Sequence, residues 1–221
     1  EAATRAGVCV MNTPGQNSNA VAELVFGLLV YAVRNFYNGT SGTELMGKKL
    51  GIHAYGNVGR NVARIAKGFG MEVLAYDAYC RAEDIKQEGV NPTCSVKTLY
   101  QGCEIVSVHI PLTAETRQII NKELLEMLPK NAVMVNTARK EVINEAELLQ
   151  HMIDNPKFKY VTDVAPDNEA EIREKAGDRY FATAKKMGAQ TSEANVNAGI
   201  AAAHQIVDYL KNGNEKYRVN K

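Results

Sequence analysis

Gly56, Gly59 and Asp77 are the residues of this 221-residue chain whose types and spacing most clearly point to chemistry. The two glycines stand in the run Ala54, Tyr55, Gly56, Asn57, Val58, Gly59, and Asp77 follows about 20 residues on, where a carboxylate closes the next strand of a βαβ unit. Gly56 lets backbone approach a pyrophosphate, and Gly59 lets the following helix pack close to the preceding strand. The N–H groups at that helix start, near Asn57 and Val58, are free to face an anion. A carboxylate at Asp77 accepts hydrogen bonds from ribose hydroxyls and repels a 2′-phosphate, so the expected cofactor is NAD in preference to NADP. Ala54 takes the place of the first glycine of the usual GxGxxG, which requires residue 54 to keep a negative φ. Two glycines after a strand are by themselves most often an ordinary turn. Here strand, turn, helix, strand and terminal acid all fall in register, and this favours the nucleotide.

Arg139 is the second residue of interest. A lone arginine after a strand is usually a solvated charge. This one follows an apolar run at the carboxyl edge of the expected sheet, where open α/β folds bind ligands, and a guanidinium can grip a carboxylate bidentately. His53, His151 and His204 read as packed or surface imidazoles, while His109 lies at a strand end where it can shape the same pocket. None has a metal-ligand spacing such as HExxH, so no metal is expected. Cys9, Cys80, Cys94 and Cys103 show no CxxC spacing and sit beside apolar or strand-like residues, as reduced, buried thiols of a cytoplasmic protein do.

Positioning these residues requires alternating elements. Apolar runs over 49–55, 72–76, 105–110, 132–136, 159–163 and 180–184 read as strands. Helical patterns fall at 19–36, 58–69, 83–88, 122–128, 145–153 and 193–211, and a short apolar run at 7–13 ends at Pro14. Nearly continuous apolar strands between helices of this length predict a parallel sheet covered on both faces, a Rossmann-type, doubly wound α/β fold. The expected division is a dinucleotide-binding domain at 1–192 and, at 193–221, a helix and tail returning towards a substrate domain that is largely absent. The opening residues, without a methionine, read like the middle of a helix entering a strand, as in a fragment. The 19–36 helix is apolar on more than one face, which predicts packing against a second subunit.

Composition agrees with a small-molecule ligand. The chain is 45% hydrophobic and 23% charged with a formal net charge of +1, and its basic residues form no stripe, so neither nucleic acid nor a membrane surface is an expected partner. No apolar run approaches the roughly 20 residues a membrane helix needs.

Several segments resemble the D-2-hydroxyacid dehydrogenase family, and within it the phosphoglycerate dehydrogenase branch. They are residues 1–14, the helix around Ala22-Glu23-Leu24, the stretch His109-Ile110-Pro111-Leu112-Thr113, and Val135-Asn136-Thr137-Ala138-Arg139 with Glu145-Ala146-Glu147-Leu148 after it. The resemblance implies a cofactor domain inserted into a substrate domain, a cleft between them, a homodimer, and NAD-dependent oxidation of D-3-phosphoglycerate in serine biosynthesis. Another D-2-hydroxyacid dehydrogenase, such as a glyoxylate or hydroxypyruvate reductase, and a non-catalytic NAD-sensing module are the alternatives. The implied cofactor contacts are Gly56, Asn57, Val58, Gly59, Asp77, Ile110, Thr137, Ala138, Asp163, Gly188 and Ala189, and the family's arginine falls on Arg139.

The acid–base pair departs from the family pattern. Residues 185–194 resemble PHLGAxTxEA with Lys186 in place of histidine, and the family's glutamate falls on Asn168, flanked by Asp167 and Glu169. A free lysine is too basic for proton abstraction near neutrality. Desolvation, Arg139 and the neighbouring Lys185 are expected to lower its pKa, whereas a paired carboxylate raises it, so lysine and the loss of the glutamate are mutually consistent. Asp167 is the candidate carboxylate partner, with Asn168 or Glu169 as alternatives.

Overall fold

A computed structural model describes residues 1–220. The strands are β1 (Lys49–His53), β2 (Glu72–Tyr76), β3 (Asn91–Pro92), β4 (Ile105–Val108), β5 (Val133–Asn136), β6 (Lys159–Thr162) and β7 (Tyr180–Ala182). They form one seven-stranded parallel sheet in the order β3-β2-β1-β4-β5-β6-β7. The four residues of β4 and of β5 are all buried, as strands covered on both faces must be.

The helices are α1 (Ala2–Arg5), α2 (Ser18–Val33), α3 (Asn57–Gly68), α4 (Ala82–Gln87), α5 (Val96–Gly102), α6 (Lys122–Leu125), α7 (Glu145–Asp154), α8 (Glu169–Ala176) and α9 (Ser192–Asn212). Two separate cores cover the sheet, one supplied by α2, α3 and α4 (Val25, Leu29, Val62, Ile85) and the other by α5 to α8 (Leu99, Leu125, Leu148, Ile172). The sheet is therefore doubly wound. Its strand order reverses between β1 and β4, and the carboxyl ends of those strands flank the crevice where such folds take ligands.

Several expectations need correction. The helix expected over 19–36 ends at Val33, and Asn35, Phe36 and Tyr37 then turn left-handed with φ of 51°, 54° and 57°. The Lys159 ammonium holds this turn, donating to the Ala32 carbonyl (2.8 Å) and to Asn35 Oδ1 (2.6 Å). The apolar faces of α2 are largely buried within the chain, against α3, β5 and β6. The 7–13 run joins no sheet strand; it lies against the tail, where Met11 bridges Arg218 and the Val219 N–H donates to the Val10 carbonyl.

Helices α5 and α8 and the two-residue β3 are additional to the expected elements. Ser95 caps α5 by accepting the Thr98 N–H at 3.1 Å, a start signal present in the sequence. The cysteines are all free, but only Cys103 is buried, with Cys9 and Cys80 half-buried and Cys94 exposed. No helix of the described residues is long and apolar enough to cross a membrane.

Candidate active site

The β1–α3 turn is built as a close-packed corner. A Cβ on Gly59 would stand 2.5 Å from the Ala54 carbonyl oxygen and 3.1 Å from Ile52 Cγ2, so only glycine lets α3 start this close to β1. Gly56 has open space where its Cβ would be, and the α3 N-terminus it precedes carries no side-chain cap. Val58 and Gly59 therefore keep first-turn N–H groups available to an anion. Ala54 has φ of +80°, not the negative value its side chain favours. Two flanking bonds hold it there: its own N–H donates to the Tyr76 carbonyl (2.8 Å), and the Tyr55 N–H donates to Asp77 Oδ2 (2.7 Å). Asp77 Oδ1 also accepts the Tyr79 and Cys80 N–H groups at 2.7 and 2.8 Å, so this carboxylate ties the phosphate turn to the loop after β2.

Beside this corner opens a cleft of about 470 Å³. Val58 lines it from α3, His109 and Ile110 from the end of β4, and Thr137, Ala138 and Arg139 from the end of β5. Asp163, Lys186 and Ala189 complete the far wall, and Asn17 and Val21 reach it from the start of α2. Of the residues singled out in the sequence, the fold thus gathers Val58, Ile110, Thr137, Ala138, Arg139, Asp163, Lys186 and Ala189 around one space. Gly56, Asn57, Gly59 and Asp77 lie outside this wall, in the turn and loop just described, and Gly188 is buried against Asp163 and Val21.

The β5–α7 loop is shaped by Asn136, whose side chain accepts the Ala138 N–H (2.9 Å) and donates to the Arg139 carbonyl (3.0 Å). Asparagine at a strand end is a turn-making signal, but nothing local shows that it aims Arg139. The Arg139 guanidinium is exposed and bonded only to the Ala138 carbonyl (2.8 Å) among the described residues, leaving most of its donors for an anion. Thr137 Oγ1 is buried in the same wall with no partner among the described residues.

Asp163 organises the loop bearing Lys186. Its carboxylate, 1% exposed, accepts the Thr183 hydroxyl (2.8 Å) and the Met187 (2.7 Å) and Gly188 (2.8 Å) N–H groups. The Lys186 amine is held below its ordinary pKa, first by desolvation and then by the charge of Arg139, against the opposing pull of Asp163. Arg139, and not the neighbouring Lys185, supplies the second effect.

The structure brings none of Asp167, Asn168 and Glu169 to the cleft wall. Asp167 pairs with Lys140, Asn168 donates to the Glu145 carbonyl (3.1 Å), and Glu169 binds Arg173 (2.7 Å) and the Tyr180 hydroxyl (3.2 Å). Asn168 and Glu169 also start α8, whose dipole favours acidic residues there. His109 borders the cleft. His53 is buried against Tyr100 and does not line it, and desolvation pushes its imidazole down to about 4. No cluster of three or more His, Cys, Asp or Glu residues suited to a metal ion occurs among the described residues.

An uncapped helix start over glycines, a ribose-type carboxylate and an orphaned hydroxyl in the cleft wall fit a dinucleotide. Residues 30–184 match the family model described as D-isomer specific 2-hydroxyacid dehydrogenase, NAD binding domain. The chain is 33% identical to D-3-phosphoglycerate dehydrogenase of Methanocaldococcus jannaschii, over 96% of this chain but 43% of that protein. It is 34% identical to hydroxypyruvate reductase of Thermotoga maritima, over 92% of this chain and 71% of the relative. Among solved structures, the NAD⁺-bound 3-phosphoglycerate dehydrogenase of Entamoeba histolytica superimposes with a TM-score of 0.90 at 41% identity, covering 100% of this chain and 70% of that one. The chain thus spans less than half the length of several relatives it matches.

Proposed function

The chain belongs to the D-isomer specific 2-hydroxyacid dehydrogenase family, as its NAD-binding domain, and from that membership we propose that it serves NAD-dependent oxidation of D-3-phosphoglycerate to 3-phosphohydroxypyruvate. The observation that carries this reading is the cleft at the carboxyl ends of β4, β5 and β6, where Arg139 and Lys186 face one space beside the phosphate turn. Arg139 grips the substrate carboxylate. Lys186, with its pKa lowered, takes the hydroxyl proton as a neutral amine. NAD supplies the hydride acceptor. Val58, Gly59 and the turn before them hold its pyrophosphate, Asp77 its adenosine ribose, and Ile110, Thr137, Ala138, Asp163, Gly188 and Ala189 its nicotinamide side.

The pair works without a carboxylate partner, because the acids near the family's glutamate position are bound elsewhere and a carboxylate at the amine would hold it protonated. A cytoplasmic homodimer acting in serine biosynthesis, with the dinucleotide-binding part at 1–192 and α9 and the tail at 193–221 turned to a substrate domain, is the setting that the family likeness favours.

A second reading, reduction of hydroxypyruvate or glyoxylate, is favoured by the 34% identity to the Thermotoga reductase. Steady-state turnover of the enzyme containing this chain with 3-phosphoglycerate, glyoxylate and hydroxypyruvate separates the two, the first substrate being expected to show the highest kcat/KM. Lys186→Met is expected to abolish turnover with NAD affinity nearly unchanged. Wild-type kcat in that variant refutes the assignment of the lysine.

A further inference from the structure

A polar pair beside the cleft, a buried serine and a half-buried histidine, has no part in the chemistry above. Ser107 lies in β4 and His109 just beyond its end, and a spacing of two puts both side chains on one face of the sheet. Ser107 is 0% exposed, and its hydroxyl meets one partner among the described residues, His109 Nε2 at 2.7 Å. The other ring nitrogen, Nδ1, has no hydrogen-bond partner among the described residues and is not sealed from solvent. His109 borders the cleft. Its backbone is fixed as well, the N–H donating to the His53 carbonyl at 2.9 Å.

Counting protons sets the tautomer. Burial, with the His53 charge beside it, pushes the His109 imidazole down to about 3, so the ring is neutral near pH 7 and carries one N–H. Were that hydrogen on Nε2, it would point at Ser107 Oγ and leave the buried serine hydrogen without an acceptor, an arrangement folded proteins avoid. With Nε2 bare, Ser107 donates to it, and the ring hydrogen lies on Nδ1.

We propose that His109, its tautomer set by Ser107, presents a fixed Nδ1–H donor to an oxygen acceptor of the molecule bound in the cleft. This rests on the cofactor reading above, and the acceptor belongs either to NAD or to the 2-hydroxy or 2-oxo acid beside it. Ser107 is on this account a positioning residue, because it acts through His109.

Long-range proton–nitrogen NMR of the chain with ¹⁵N-labelled histidine tests the tautomer without ligand. The expected spectrum at pH 6–8 has Nδ1 protonated and Nε2 bare. NAD is expected to move the Nδ1 signal; if the signal moves only when oxamate is added with NAD, the acceptor belongs to the acid. Ser107→Ala is expected to shift the ring towards the Nε2–H form and to weaken binding of the ligand holding the acceptor about three- to tenfold, one neutral hydrogen bond's worth. Ser107→Thr is expected to restore both. A protonated Nε2 in the wild type overturns the proposal, as does an Nδ1 signal unmoved by NAD or by NAD with oxamate in a chain that calorimetry shows to bind NAD. Failure of the wild type to bind NAD refutes the cofactor reading instead, while the ligand-free spectrum still decides the tautomer.

Discussion

Removing the Asp163 carboxylate should release the loop that carries Lys186, with a cost that follows from the bonds it makes. In Asp163→Ala, the Met187 and Gly188 N–H groups lose their acceptors at a site 1% exposed, while the Thr183 hydroxyl keeps the Lys185 carbonyl at 2.8 Å. A hydrogen bond to a charged group contributes about 1.5–3 kcal/mol, so two of them set an upper range of roughly 3–6 kcal/mol. Residues 184–187 are exposed, however, and the loop can swing out so that water satisfies both amides. We therefore expect a loss of about 3 kcal/mol, which for a chain of this size lowers Tm by roughly 6–12 °C.

Two further variants grade the effect. Thr183→Val deletes one donor and should cost about 1 kcal/mol. Asp163→Asn keeps one carbonyl oxygen but turns an N–H₂ towards a backbone N–H, and should fall between the other two. Thermal unfolding at pH 7 gives the order, and amide exchange at Met187 and Gly188 localises it, with protection lost first in Asp163→Ala. The reasoning fails if Asp163→Ala unfolds within about 2 °C of wild type, or if it is strongly destabilised while both amides stay protected.

The neutralised variant also tests the electrostatics at Lys186. Asp163 raises that amine's pKa, so Asp163→Asn should move the alkaline rise of oxidation rate to lower pH, and an unmoved or opposite pH profile in the variant contradicts the assignment. Arg139→Gln removes a charge that lowers the same pKa and should move the rise to higher pH, with kcat/KM down at least about a hundredfold from the lost carboxylate grip; near-normal turnover there excludes Arg139 as the anchor. Gly59→Ala places a methyl 2.5 Å from the Ala54 carbonyl, and the forced separation of α3 from β1 should cost about 2–4 kcal/mol in chemical denaturation and weaken NAD binding measured by calorimetry. At Ala54, with φ of +80°, glycine should leave stability within about 1 kcal/mol of wild type, because relief of strain offsets added unfolded-state entropy, whereas valine should lose about 2 kcal/mol or more. Equal stability of the glycine and valine variants rules out strain at that position. Asp77 should make NADP bind more weakly than NAD by a few kcal/mol, and equal calorimetric affinities contradict its ribose role.

The architecture and half of the site were legible in the chain because they rest on short-range patterns. Strands such as 105–108 and 133–136 are apolar except for Ser107 and Asn136, so they read as buried on both faces, and that points to a parallel sheet with helices on either side. Gly56, Gly59 and Asp77 could be read for the same reason, since a βα turn keeps its phosphate-binding residues within one unit of chain. The tertiary structure decided whatever depends on partners far apart. Ala54 was expected at negative φ, but bonds to Tyr76 and Asp77, more than 20 residues away, hold it in the opposite region. Asp163 could be placed beside the cofactor by resemblance, yet its hold on the Lys186 loop rests on bonds to residues 20 to 25 positions later. Asp167, Asn168 and Glu169 are adjacent to the family's glutamate position in sequence, but ionic and helix-start contacts take all three out of the cleft. Apolar periodicity says which face of an element is buried. It carries no information on which polar atoms then meet, because those pairings depend on the angles at which elements already packed together bring their ends into reach.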